Sequence, residues 1–226
     1  MESYDQLCSC EKENSIERIR NWIQTFNGSG KLALEKDNET GIATICLMNP
    51  SKKNALDGPM MAQLSYVVDE LENWREGRAI IIYGYDRFFC SGMDLQMAKC
   101  LKDDIEKSKL MATLMRDTLK RLKELPMLSV AFIEGKALGG GAELTTACDF
   151  RIVAPNAEIG FVHIKMGITS AFGAGARLVQ LLGYSKVLEI ITSARLINSV
   201  EAIEIGFANY MVKRSAENYL NEVKEW

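Results

Sequence analysis

Apolar residues recur along the chain at two different periods. Between Pro59 and Trp74 they fall at Met60, Met61, Leu64, Val67, Val68 and Leu71, the spacing of an amphipathic helix. Ahead of it, residues 31–36 (KLALEK) and 41–48 (GIATICLM) predict two strands joined by a turn at Asn38-Glu39-Thr40. Residues 79–83 (AIIIY) and 128–134 (LSVAFIE) are continuous apolar runs of buried-strand length, and a long helix is predicted from about 105 to 125, closed by Pro126. A glycine cluster then leads into an apolar helix at 141–148. Short strands at 150–154 and 158–162 flank Pro155-Asn156, and two helices broken at Gly183 fill 174–194. Strands alternating with helices predict an α/β fold.

A shorter helical pattern at Ile16, Ile19, Trp22, Ile23 and Phe26 ends at Gly28-Ser29-Gly30. The expected organisation is therefore a helical extension over residues 1–29 and one domain over 30–226. No internal repeat or linker divides the latter.

Composition narrows the function classes. Apolar residues are 47%, charged residues 25%, and the net charge is -3, so there is no basic excess for a nucleic-acid partner. No run approaches the length of a membrane span. The start, MESYDQLCSCEKENS, has neither the order of a signal peptide nor the arginine-rich character of a mitochondrial presequence, and the expected compartment is the cytosol. Six scattered cysteines without a CxxC pair read as reduced thiols. With one histidine in the chain, a zinc site has few ligands, and no metal is expected.

Two loops share one physical design, small residues directly after a buried strand. They are FFCSGMDL (88–95) and ALGGGAEL (137–144). In the second, Gly139-Gly140-Gly141 opens a helix whose first amides are unpaired and partly positive. Spacing alone leaves two readings open: an anion-holding helix end, or glycines that permit tight packing.

Further motifs carry a resemblance. Ser91-Gly92-Met93-Asp94-Leu95 is followed downstream by Gly139-Gly140-Gly141-Ala142-Glu143-Leu144 and then Cys148-Asp149-Phe150-Arg151-Ile152. With NPSKKNAL (49–56) and GITSAFGAGARL (167–178), this order resembles the crotonase (enoyl-CoA hydratase/isomerase) superfamily over roughly residues 30–212. The segment FVHIKMGI (161–168) after ELTTACDFRI most resembles that superfamily's ethylmalonyl-CoA decarboxylase branch. Where that branch commonly carries P-S-W-G-G, this chain reads Ser170-Ala171-Phe172-Gly173-Ala174.

The resemblance implies a ββα spiral core and an acyl-CoA thioester substrate. It implies an oxyanion hole formed by the backbone N–H groups of Met93 and Gly140, with Glu143 as the first catalytic glutamate and His163 where hydratases carry a second carboxylate. Lys53, Ala55, Ser91, Gly92, Asp94, Leu95, Gly139 and Gly141 become expected substrate-binding positions, with Lys52 and Lys53 candidates for the coenzyme A phosphates. The activity implied is decarboxylation of a 2-alkylmalonyl-CoA without a cofactor other than the coenzyme A of the substrate. The alternatives are an enoyl-CoA hydratase or isomerase using Glu143, and a catalytically silent acyl-CoA-binding protein. The resemblance also implies a homotrimer. The chain ends at Trp226, within an expected helix beginning near Glu217, so the family's C-terminal helical region is expected to be missing and the trimer weakened.

Overall fold

A computed structural model describes residues 9–213 and 219–226. Cys8 and the acidic start of the chain lie outside the described residues, as do Glu217 and Asn218 at the head of the terminal helix.

The expected α/β architecture is present. A six-stranded sheet has the order β1-β2-β3-β4-β6-β9. Its strands are β1 (Lys31–Asp37), β2 (Ile42–Met48), β3 (Ala79–Gly84), β4 (Leu128–Ile133), β6 (Phe150–Val153) and β9 (Tyr210–Met211). β1 and β2 form an antiparallel hairpin, and all later pairings are parallel. The hairpin turn is set by Asp37, whose carboxylate accepts from the amides of Glu39 and Thr40 and from the Thr40 hydroxyl.

The apolar runs of the parallel strands are buried on both faces, as crossover helices require. On one face Ala43, Ile45, Leu47, Ile80, Ile82, Ala131, Ile133 and Val153 join the main core. That core includes residues of α2 (Gly58–Glu72) and α4 (Ile105–Glu124). On the other, Ile81, Val130, Phe132 and Ile152 form a smaller cluster with Val223 of α9 (Tyr219–Glu225). The N-terminal helix α1 (Ser9–Ile23) sends Ile16, Ile19 and Ile23 into the main core. Its Arg20 donates to Ser65 at 3.0 Å and to Asp69 at 2.8 Å.

A second, three-stranded sheet of β5 (Lys136–Leu138), β7 (Glu158–Gly160) and β8 (Leu196–Asn198) stands beyond the strand ends. The remaining helices are α3 (Leu95–Leu101), α5 (Gly140–Thr145), α6 (Ala174–Leu182), α7 (Tyr184–Ser193) and α8 (Ser199–Glu204). The expected break at Gly183 is real, with φ at +78°.

Three boundaries differ from the sequence expectation. The helix expected over 141–148 stops at Thr145, the strand expected over 158–162 stops at Gly160, and α3 lies where no helix was predicted. α3 has only seven residues, too few to display a helical period, and it is held by its cap. The Asp94 carboxylate accepts from the amides of Gln96 at 2.9 Å and Met97 at 3.1 Å. Among the described residues no helix is long and apolar enough to cross a membrane, and no cluster of three metal-ligating side chains occurs.

Candidate active site

The site forms where the loop after β3 meets the turn between β5 and α5. Leu56 N donates to Gly92 O at 2.8 Å, and Asp94 N donates to Leu56 O at 2.9 Å. Extended backbone points successive amides to opposite sides, so the Met93 N–H faces away from Leu56. The neighbouring loop is fixed in the same way, with Leu138 N bonded to Cys90 O and Gly139 N to Gly160 O. Among the described residues neither Met93 nor Gly140 finds an acceptor for its backbone N–H. The two loops are pressed together. A β-carbon built on Gly92, whose φ is +102°, would stand 2.8 Å from Leu138 O and 3.5 Å from Gly140 N.

Ser91, Gly92, Met93, Leu95, Gly139, Gly140, Glu143 and His163 all line one cavity of about 90 Å³, so the structure brings these expected site residues together. Apart from Thr169 its remaining walls are apolar, with Ala98, Met111, Met166, Ile168 and Phe172 around the polar end.

The polar end is a buried pair. His163 Nε2 lies 2.8 Å from Glu143 Oε1, and Glu143 is 1% exposed. The same carboxylate accepts from Ser170 Oγ at 2.5 Å and from the amides of Phe172 at 2.9 Å, Ala171 at 3.3 Å and Ala174 at 3.3 Å. Burial pushes the Glu143 carboxyl up, but hydrogen bonds from His163 and Ser170, the charge of His163 and the Ala174 amide outweigh it and hold it below its ordinary range. Five donors crowd the roughly four lone-pair sites of two oxygens, so none is left for another donor. Glu143 is therefore a fully occupied anion. His163 has no second protein partner among the described residues, which leaves Nδ1 as its uncommitted ring nitrogen.

Four expected substrate-binding positions are not among the cavity's lining residues. Asp94 is 2% exposed, caps α3 and pairs with Lys52 Nζ at 2.7 Å, so both side chains serve to hold the Met93 loop. Lys53 accepts Ser91 N through its carbonyl at 2.9 Å, and its ammonium lies 5.8 Å from the Phe88 ring. Ala55 is buried, with its carbonyl taken by Asn49 Nδ2. Gly141 packs on Cys90, whose carbonyl oxygen would lie 2.6 Å from an added β-carbon. The tight-packing reading of the glycine cluster thus holds for Gly141 and also for Gly140, whose added β-carbon would stand 2.7 Å from the Phe172 ring, while Gly139 and Gly140 also line the cavity.

Sequence reasoning gave no role to Arg177, and nothing in the sequence signals one. Its Nε donates to Thr146 Oγ1 at 2.9 Å, and its Nη2 donates to Phe172 O at 2.9 Å and Glu143 O at 3.3 Å, tying α5 to α6 behind the carboxylate.

Comparison with known proteins places this geometry. The family model described as enoyl-CoA hydratase/isomerase matches residues 37–224. The chain is 41% identical over 209 residues to ethylmalonyl-CoA decarboxylase of Xenopus tropicalis, covering 92% of this chain and 69% of that protein. It is 41% identical to the protein of the same name from Homo sapiens, covering 93% of this chain and 68% of that one. Among solved structures, the enoyl-CoA hydratase of Bacillus anthracis superposes with a TM-score of 0.79 at 28% identity, over 86% of this chain and 75% of that one.

Proposed function

The chain belongs to the enoyl-CoA hydratase/isomerase family, and within that family we propose that it decarboxylates a 2-alkylmalonyl-CoA, ethylmalonyl-CoA or methylmalonyl-CoA. The names of its 41%-identical relatives support the choice of reaction. One observation of the site carries it. Both oxygens of Glu143 are occupied by five protein donors, one of them His163, so the site holds no pair of free carboxylates between which a water could be activated. That disfavours hydration through Glu143.

Decarboxylation needs no base. The bond between C2 and the carboxylate carbon breaks, CO₂ leaves, and the electron pair passes into the thioester as an enolate. The Met93 and Gly140 amides donate to the enolate oxygen, preorganised because their loops are already bonded to Leu56, Cys90 and Gly160. The apolar wall formed by Met111 and Phe172 holds the alkyl group and keeps water from the carboxylate. His163 then delivers one proton to C2 through Nδ1, with Glu143 as the fixed counter-charge on Nε2. The balance is one alkylmalonyl thioester and one proton giving one acyl thioester and CO₂, with no cofactor besides the substrate's own coenzyme A.

The test is incubation with ethylmalonyl-CoA and, separately, crotonyl-CoA, with the acyl-CoA species followed by mass spectrometry. Butyryl-CoA from the first substrate is the expected product. Turnover of crotonyl-CoA alone would sink the reading in favour of a hydratase, and tight binding without turnover of either would favour a silent acyl-CoA binder. His163→Ala is expected to lower the decarboxylation rate by about 10² to 10⁴.

A further inference from the structure

Glu143 Oε2 and Oε1 are held by different parts of the chain. Oε1 receives His163 Nε2 from the turn at 163–166, together with the Ala171 amide at the long distance of 3.3 Å. Oε2 receives the Ser170 hydroxyl at 2.5 Å and the Phe172 and Ala174 amides at 2.9 and 3.3 Å, all from the approach to α6. The hydroxyl is thus the shortest contact on the carboxylate and the only one of the five made by a side chain other than His163. It also differs in kind from the amides. A backbone N–H is fixed by the fold, whereas the Ser170 hydroxyl is removed by one substitution that leaves the backbone in place.

We infer that Ser170 is a positioning residue: its hydroxyl fixes the Glu143 carboxylate in the orientation that presents Oε1 to His163. Without it, Oε2 is held only by the Phe172 and Ala174 amides, at 2.9 and 3.3 Å, and the carboxylate turns about its terminal torsion. Oε1 then leaves the line of His163 Nε2, and the ring loses the contact that fixes its orientation.

The other charges around the pair are named by the packing. Arg177 of α6 lies behind the Glu143 backbone, and its Nη1 and the Arg116 side chain of α4 both flank Gly173, at 3.2 and 3.6 Å from an added β-carbon. Lys165 is on the same turn as His163 and exposed. None of these contacts Ser170 Oγ, so removing the hydroxyl perturbs Glu143 and His163 first.

The link from this contact to catalysis rests on the decarboxylase reading, but the contact can be tested without it. His163 is the only histidine in the chain, so the imidazole Cε1–H signal of the untagged protein is unambiguous. The experiment records that signal at one fixed pH by two-dimensional NMR in the wild type, Ser170→Ala, Ser170→Cys and Ser170→Thr. Ser170→Ala is expected to displace and broaden the signal, because the ring is no longer held in one orientation. Ser170→Thr is expected to restore it, and Ser170→Cys, a weaker donor of similar size, to fall between. Signals for Ser170→Ala and Ser170→Cys that coincide with the wild type would overturn the inference whatever the protein catalyses. With ethylmalonyl-CoA, Ser170→Ala is expected to lower kcat about tenfold at unchanged KM. A displaced signal in a protein that never decarboxylates would leave the inference standing and remove the decarboxylase reading instead.

Discussion

Lys52 Nζ lies 2.7 Å from Asp94 Oδ2, joining the turn after β2 to the loop that carries Met93. Asp94 also caps α3, so one buried carboxylate sets both the start of that helix and the loop immediately before it. Its other neighbours are backbone: Asp94 N donates to Leu56 O, and Ser91 N to Lys53 O. The direction of the Met93 N–H is therefore fixed largely by Lys52, Lys53, Leu56 and Asp94, none of which lines the cavity.

Asp94→Ala is expected to cost about 1 to 2 kcal/mol through the lost cap, and more through the Lys52 ammonium left unpaired. Because Met93 moves with the loop, kcat is expected to fall further than stability alone explains. Urea unfolding gives the first quantity and steady-state kinetics the second. A destabilised variant with undiminished kcat would show that the loop keeps its shape without the carboxylate.

Glu143→Gln probes the occupied carboxylate. A glutamine turns one acceptor oxygen into an NH₂ group facing donors, either His163 Nε2 or the amides of Phe172 and Ala174. Leaving such a group unsatisfied costs about 1 to 3 kcal/mol. The sign of the pH dependence follows from the direction of the shift. Glu143 is held below its ordinary range in the folded protein, so its contribution is complete above the unfolded value of about 4.3 and is lost as pH falls through the folded one. The difference in unfolding free energy between the wild type and Glu143→Gln is expected to shrink between pH 7 and pH 3. A difference independent of pH would mean that Glu143 is not charged in the folded protein.

What was legible in the sequence depended on which force set each element. Runs such as AIIIY and LSVAFIE are buried on both faces of a parallel sheet, and burial alone dictates their composition. The two loops were legible because close backbone approach excludes side chains at Gly92 and Gly141. α3 was not, because a seven-residue helix is decided by its Asp94 cap and not by an apolar period. The division of labour among the glycines was also hidden. Gly140 and Gly141 are adjacent, yet one lines the cavity against the Phe172 ring and the other packs on Cys90, and only tertiary packing separates them. Arg177 was invisible for a similar reason, since its partners are backbone carbonyls and a threonine hydroxyl that no sequence spacing brings to it.

Gly92→Ala tests whether the two loops must touch. The substitution puts a side chain on a residue with φ at +102° and drives its β-carbon to 2.8 Å from Leu138 O. Backbone strain of this kind costs about 1 to 3 kcal/mol. The chain relieves the clash by separating the loops, which carries the Met93 and Gly140 amides apart. A loss of about 10² in kcat/KM is expected, comparable to removing one oxyanion donor. Wild-type stability and turnover together would mean that the amides do not act as a pair.

Thiol reactivity offers a test that needs no substrate. Cys46, Cys90 and Cys148 are buried and Cys100 is exposed, all four free. Burial pushes the Cys90 and Cys148 thiols up to about 12, and burial likewise raises Cys46. Only the thiolate attacks an alkylating reagent, so at pH 8 the two most shifted thiols react about 10⁴-fold more slowly than an accessible anion, before access is considered. Peptide mapping after a short iodoacetamide pulse is expected to find Cys100 modified and Cys46, Cys90 and Cys148 intact, with all four modified after urea. Cys90 is the informative residue, because its backbone bonds to Lys136 and Leu138 and its side chain lies under Gly141. Its labelling therefore reports separation of the two loops, and Gly92→Ala is expected to accelerate Cys90 while leaving Cys148 unchanged. Equal acceleration at both would indicate general loosening of the core and not a local opening at the site.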